Sequence, residues 1–204
     1  MPRPKRVWFP GATYHIMDRG NYKQNIYKET EDYEIFLEIL KDTMKKYYFK
    51  IHSFCLMTNH YHLLIETTDK EIWHIMKRIN QLYAAYFNEK YAYVGHLFQG
   101  RYVSRLIEDD NYFLQTSRYI HLNPVKANMV SCPVEYKWSS YETFIGNKDT
   151  IFVTKERVMG YFSGKIDEYQ RFVEGEDYSE HEEQIRCEMK EDEEWLPENR
   201  CQAL

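Results

Sequence analysis

Ile51-His52-Ser53-Phe54-Cys55-Leu56-Met57-Thr58-Asn59-His60-Tyr61-His62-Leu63-Leu64-Ile65 is the stretch whose reading decides how the chain is arranged. Ile51 to Met57 and His60 to Ile65 read as two strands. Thr58-Asn59 is so short a link that the pair must form an antiparallel hairpin. Side chains at i and i+2 of a strand share a face. His60 and His62 therefore project together, and Tyr61, Leu63 and Ile65 project the other way. Two imidazoles on one rigid face make a ready pair of divalent-metal ligands. An ordinary half-exposed histidine pair has the same pattern, and the hairpin alone does not choose between the two.

Upstream of the hairpin, Gly11 to Met17 (GATYHIM) reads as a strand that Arg19-Gly20-Asn21 closes with turn chemistry. Tyr33, Phe36, Leu37, Leu40 and Met44 recur at helical spacing behind Thr30, the expected cap of a helix running to Tyr48. Downstream, Asp69 opens a second helix carrying Ile72, Trp73, Met76, Ile79, Leu82, Tyr83 and Phe87, and Gly95 breaks it. Phe98 to Glu108 is the next β-type run. Strand, helix, strand, strand, helix, strand is the split βαβ, ferredoxin-like order. The expected class is α+β: an antiparallel sheet with both helices on one face, its other face free to carry a site or be covered by a later element.

The next such element is a helix capped by Asp109 or Asp110, which Pro124 is expected to end at Asn123. Phe113, Thr116 and Ile120 share one of its faces; Tyr112, Tyr119 and Asn123 share another. A tyrosine and an amide oxygen thus project side by side from its last turn. The same placement describes a surface tyrosine with a C-capping asparagine. Pro133 to Tyr141 is aromatic and turn-rich and is expected to fold back on the domain. Residues 146–150 read as a boundary, and residues 153–173 carry some helical spacing. The last ~30 residues are acidic and poor in aliphatics, which reads as a mobile tail or an exposed helix. The expected organisation is a catalytic domain over residues 1–147 and an acidic, partly helical extension over residues 148–204.

At 204 residues the chain is long enough for one substantial core, and 43% hydrophobic with 29% charged residues places it among soluble globular proteins. No apolar run approaches a membrane span, and no apolar signal segment follows the basic start Met1 to Arg6, so a cytosolic location is expected. Cys55, Cys132, Cys187 and Cys201 form no CxxC pair; reduced thiols are expected and a zinc ribbon has no support. The net charge of −5 is unevenly spread: residues 1–150 carry +3 and residues 151–204 carry −8. A mildly basic body permits nucleic-acid binding without demanding it. The 19 tyrosines could stack on unpaired bases, but most read as core.

Read together, Met57-Thr58-Asn59-His60-Tyr61-His62-Leu63-Leu64, Phe98-Gln99-Gly100-Arg101-Tyr102, Arg118-Tyr119-Ile120-His121-Leu122-Asn123-Pro124-Val125-Lys126-Ala127 and Trp138-Ser139-Ser140-Tyr141 resemble the single-tyrosine HUH transposases. The resemblance is to the insertion-sequence-200-like group and its relatives associated with repetitive extragenic palindromes, and it covers residues 8–145. It implies that His60 and His62 are the metal pair, with Tyr61 an aromatic departure at the intervening hydrophobic position. It implies that Tyr119 is the nucleophile and that Asn123 supplies a third ligand to a divalent ion, Mg²⁺ or Mn²⁺. The implied partner is single-stranded DNA with hairpins, cleaved and rejoined through a 5′-phosphotyrosine link that conserves bond energy and needs no ATP. Arg6, Arg19, Arg101, Arg105 and Lys126 are candidate DNA contacts, with Arg101 and Arg105 favoured because their strand belongs to the histidine sheet. His121 reads as structural. A non-catalytic hairpin-binding or scaffold protein on the same fold is the alternative of a different class, kept open by the acidic end. A hydrolase in which water attacks and Tyr119 stands by is a third. Monomer or homodimer, and Tyr119 acting in cis or in trans, stay open.

Overall fold

A computed structural model describes residues 7–147, 150, 152–175 and 185. Its elements run β1 (Thr13–Arg19), α1 (Thr30–Tyr47), β2 (Lys50–Leu56), β3 (His60–Glu66), α2 (Ile72–Tyr91), β4 (Val103–Leu106) and α3 (Asp110–Lys126). Short helices α4 (Tyr141–Phe144), α5 (Glu156–Gly160) and α6 (Ile166–Glu174) follow. The sheet order is β2-β3-β1-β4, and every neighbouring pair is antiparallel. This is the α+β, ferredoxin-like arrangement expected from the order of elements.

The pleat of the sheet gives its two faces different chemistry. Tyr14, Ile16, Tyr61, Leu63 and Ile65 are all buried on the face that meets α1 and α2. There the Phe36 ring lies 4.9 Å from that of Tyr61. Tyr61 Oη donates to Asn80 Oδ1 at 2.6 Å, and Asn80 Nδ2 donates to Asp18 Oδ2 at 2.6 Å. Each fully buried aromatic or aliphatic here contributes about 1.5–3 kcal/mol by leaving water. The ends of α1 and α2 are tied by the buried Asp32 carboxylate. It accepts from the Lys28 and Glu29 amides (2.7 and 2.9 Å), Tyr86 Oη (2.9 Å), Tyr91 Oη (2.8 Å) and Lys90 Nζ (2.9 Å).

The other face carries His15, Met17, His60, His62 and Leu64, set by the pairing of Met17 with His62 and of His15 with Leu64. α3 packs across it over β2 and β3. The Ser117 and Ser53 hydroxyls meet at 2.7 Å. Residues after α3 then close the edge of β2: Leu56 N donates to Trp138 O at 2.9 Å and Ser140 N to Phe54 O at 3.0 Å. An otherwise open strand edge is thereby paired. Thr154 N donates to Ile51 O at 2.7 Å, so residues beyond 150 also reach the sheet. Arg118 Nε donates to Phe172 O at 2.8 Å, and Arg118 Nη2 donates to Gly175 O. His121 is buried with Nδ1 2.7 Å from Tyr169 Oη and Nε2 2.7 Å from Ser140 Oγ, which is the structural role read for it.

Several boundaries differ from the sequence expectations, each for a local reason. The α1 cap is Glu29 rather than Thr30, because Glu29 and Asp32 form a reciprocal capping box. α2 starts at Ile72 and not at Asp69; Thr68 Oγ1 donates to Tyr48 O at 2.7 Å and holds this stretch in the preceding turn. Only residues 103–106 of the Phe98–Glu108 run are strand, because Gly100 takes a φ of 75° and Phe98 makes a single bridge to Gly20. α3 runs through Pro124 to Lys126 instead of ending at Asn123. Proline there forfeits one amide bond in the last turn, while Ala127 N still donates to Asn123 O at 2.9 Å. Ile185 is helical and fully buried, so at this residue the acidic end is neither a mobile tail nor an exposed helix. The rest of residues 176–204, including Cys187 and Cys201, residues 148 and 149 of the expected boundary, and residue 151 lie outside the described residues. Cys55 and Cys132 are free thiols. Among the described residues no helix is long and apolar enough to cross a membrane.

Candidate active site

β3 presents His60 and His62 on the face that α3 covers, with ring centroids 5.0 Å apart and nearly perpendicular planes. α3 brings Tyr119 to the same place: its ring centroid is 5.6 Å from that of His62. The helix can approach this closely because Ser117, Tyr119 and the apolar stripe of Phe113, Thr116 and Ile120 are all buried. Lys126, about two turns further along α3, places Nζ 5.5 Å from the centre of the Tyr119 ring. Asn123 lies in the same turn, and its Nδ2 donates to Tyr119 O at 3.0 Å. The Asn123 side-chain oxygen is the acceptor of that amide and takes no part in this bond.

One residue of this cluster escaped the sequence reading. His15, from the centre of β1, is fully buried, and its Nε2 lies 3.0 Å from His62 Nδ1. Its ring is 5.8 Å from that of Tyr119. The signal was the alternation Thr13, His15, Met17, which puts a third histidine on the face of the other two once β1 is known to pair with β3.

All three imidazoles are neutral at ordinary pH. Burial pushes His15 down to about 3. Burial, followed by the charge of Arg19, pushes His60 down to about 4. Burial and then the neighbouring His60 and His15 hold His62 well below its usual value. Neutral imidazoles keep a bare ring nitrogen each, which is what a cation needs. His60 Nδ1 lies 2.7 Å from Asn59 Oδ1, and Asn59 Nδ2 donates to Lys23 O at 3.1 Å. With its amide so oriented, Asn59 accepts from His60 Nδ1–H and leaves Nε2 bare. Among the described residues no three His, Cys, Asp or Glu side chains are grouped to hold a metal. His60 and His62 bring two ring nitrogens to this face, and Asn123 carries a side-chain amide oxygen on α3.

The candidate DNA contacts divide. Arg19 pairs in register with His60, and Arg105 pairs with His15, so both flank the histidine face. Arg19 donates from Nε and Nη2 to Gln99 Oε1 at 3.3 and 3.1 Å. Arg101 and Lys126 are exposed. Arg6 lies outside the described residues. Beside Arg19 the chain passes through Tyr22, which stands 84% exposed with φ 53° and ψ 30°. That loop is pinned by Gly20 N to Asn59 O and Asn21 N to Leu97 O, both at 2.8 Å. Gly20 is required there, since a Cβ would come within 2.2 Å of Gln24 O.

Comparison with known proteins gives a sequence family and likenesses to solved structures. The family model for IS200-like transposases matches residues 9–123. No curated protein matches the chain. The solved structure of a REP-associated tyrosine transposase bound to a REP hairpin is similar with a TM-score of 0.62 at 16% identity, covering 75% of this chain and 97% of that one. A protein provisionally designated a transposase, from Deinococcus radiodurans, gives 0.42 at 17% identity over 58% of this chain and 95% of its own. The tRNA(His) guanylyltransferase of Saccharomyces cerevisiae gives 0.45 at 11% identity, covering 90% and 79%.

Proposed function

The chain belongs to the IS200-like transposase family, and on that premise we propose that it cleaves and rejoins single-stranded DNA beside hairpins through a covalent link to Tyr119. The observation that carries this reading is the meeting of Tyr119 with His62, and of His62 with His60, on one covered sheet face. A tyrosine nucleophile and a neutral imidazole pair are complementary tools for a phosphodiester, which is an anion and resists attack.

The donor set fits a divalent ion, Mg²⁺ or Mn²⁺, and imidazole favours Mn²⁺ of the two. His60, His62 and the Asn123 side-chain oxygen would hold it. When bound, such an ion polarises the non-bridging phosphate oxygens and neutralises charge as it develops. Tyr119 Oη attacks phosphorus; a P–Oη bond forms and the P–O3′ bond breaks. The tyrosyl proton is released, and the departing 3′ oxygen takes up a proton. A free tyrosine ionises near pH 10, so Tyr119 must give up its proton as the P–Oη bond forms. The 5′ phosphate stays on Tyr119 until a 3′ hydroxyl attacks it and the same bonds are exchanged in reverse. Arg19, Arg101, Arg105, Lys126 and Arg6 would hold the strand by its backbone.

The test is a denaturing gel of protein incubated with 5′- and 3′-labelled single-stranded hairpin DNA from beside its own gene, with Mn²⁺ or Mg²⁺. The expected result is a covalent protein–DNA band that needs metal and is lost in Tyr119→Phe. Cleavage that survives Tyr119→Phe would replace the reading with a hydrolase, and binding without cleavage would replace it with a hairpin-binding protein.

A further inference from the structure

His15 is the residue of this cluster that the proposed chemistry leaves without a task. It sits in the middle of β1, fully buried between the sheet and α3. Its Nε2 is 3.0 Å from His62 Nδ1. Two neutral imidazoles joined by one hydrogen bond must divide the roles: one nitrogen donates and the other accepts.

The division decides which His62 nitrogen is left bare. With the proton on His62 Nδ1, His62 donates to His15 Nε2, and His62 Nε2 has a free lone pair. His15 must then carry its own proton on Nδ1. That Nδ1 is buried and has no hydrogen-bond partner among the described residues. A buried N–H left without a partner is destabilising, whereas an apolar ring of the same shape would fill the space without that cost. A group kept in so unfavourable a position needs an explanation, and the acceptor it provides to His62 is one. The arrangement also repeats what happens next door, where Asn59 Oδ1 faces His60 Nδ1 at 2.7 Å.

We infer that His15 is a positioning residue that holds His62 in the Nδ1–H form, so that both histidines of the pair present a bare Nε2. Metal-bound histidines ordinarily donate their second nitrogen to a carboxylate, a carbonyl or water. His15 replaces these with a neutral ring that fixes the tautomer and orientation of His62 while adding no negative charge. A site built this way binds its ion less tightly than one backed by carboxylates, and the ion exchanges more readily. The inference rests on the metal-pair reading above, but its first test does not require the metal.

The first measurement is the long-range ¹H–¹⁵N spectrum of histidine side chains in the metal-free protein. His62 in the Nδ1–H form upholds the inference; His62 in the Nε2–H form overturns it. The second is Mn²⁺ binding followed by electron paramagnetic resonance in wild type, His15→Phe and His15→Gln. His15→Phe is expected to bind Mn²⁺ about 10–100-fold more weakly, the usual loss when a supporting residue behind a ligand is removed. Its melting temperature is expected to be unchanged or raised, because the orphan N–H is gone. His15→Gln, which keeps an acceptor, is expected to recover part of the affinity. Equal Mn²⁺ affinity in wild type and His15→Phe overturns the inference. Absence of Mn²⁺ binding in wild type overturns the metal reading of the site, while the tautomer spectrum still decides the role of His15.

Discussion

Asp18→Asn is expected to make this protein more stable at neutral pH, and the size of the gain follows from where Asp18 lies. Its carboxyl is on the helix face of β1, 3% exposed, accepting from Arg19 N at 2.9 Å and from Asn80 Nδ2 at 2.6 Å. Burial pushes it up to about 8, against the smaller opposing pull of those two hydrogen bonds. An unfolded aspartate ionises near 3.9, so at pH 7 folding must return a proton to it, at a cost of about 4 kcal/mol. The folded state holds more protons than the unfolded state between the two values. Stability from this group is therefore greatest below about pH 4 and falls by about 1.4 kcal/mol per pH unit up to about pH 8. Asparagine removes the proton from the balance. Its oxygen keeps the Arg19 amide, and the Asn80 amide turns over so that its oxygen meets the new NH₂ and its nitrogen meets Tyr61 Oη. Allowing about 1 kcal/mol for that rearrangement, the variant gains about 3 kcal/mol at pH 7 and nothing near pH 4. Urea unfolding at about pH 5 and about pH 7.5 reads this as a midpoint shift that grows with pH. Equal midpoints for the two proteins at both pH values, or a variant less stable at neutral pH, would refute the reasoning.

Three other outcomes are expected. Asp32→Ala, which removes the acceptor shared by the Lys28 and Glu29 amides and the Tyr86 and Tyr91 hydroxyls, should cost about 1–3 kcal/mol in urea unfolding. Burial alone would raise the Asp32 carboxyl, but the bonds from Lys90 and the Lys28 and Glu29 amides outweigh it and hold it at about 2. Its contribution is thus present above about pH 4 and lost as pH falls through about 2, which acid unfolding of wild type and variant will show. Ile185→Ala should cost about 2–5 kcal/mol, and an unchanged melting temperature would mean that Ile185 is not packed as described. Tyr22→Asn should raise stability by about 1 kcal/mol, since asparagine tolerates the left-handed backbone better. The same change should weaken single-stranded DNA binding about tenfold by removing a stacking surface; equal affinity by fluorescence anisotropy would discard that contact.

The hairpin and the order of elements were legible because each rests on a short-range rule, whereas the meeting of Tyr119 with the histidine face was implied only by the family resemblance. Strand alternation sends His60 and His62 one way, helical spacing aligns Phe113, Thr116 and Ile120, and a two-residue link permits one pairing. What was not legible depends on neighbours far along the chain. His15 reads like any histidine in an apolar strand until β1 is laid beside β3. Asp18, one residue past the expected end of the first strand, pairs with Tyr61 and is buried beneath α2. Pro124 is a stop signal in isolation, and α3 overrides it because neighbouring backbone bonds survive on both sides. Ile185 is one aliphatic in an acidic run, and no periodicity marks it. The exposed Tyr22 in a left-handed conformation is equally silent, since asparagine or glycine would be the ordinary reading there.

The anchoring of α3 bears on what counts as one working unit. Ser117 on Ser53, Arg118 on the Phe172 and Gly175 carbonyls, and His121 on Ser140 and Tyr169 tie the helix to its own chain on either side of Tyr119. A swap of α3 alone between two copies would have to break all of these contacts at once. Under the proposed chemistry, each polypeptide then carries a complete set of reacting groups. Two defective proteins, one lacking the tyrosyl hydroxyl and one lacking an imidazole of the pair, would not complement each other when mixed. In a cell holding both alleles, neither would rescue the other.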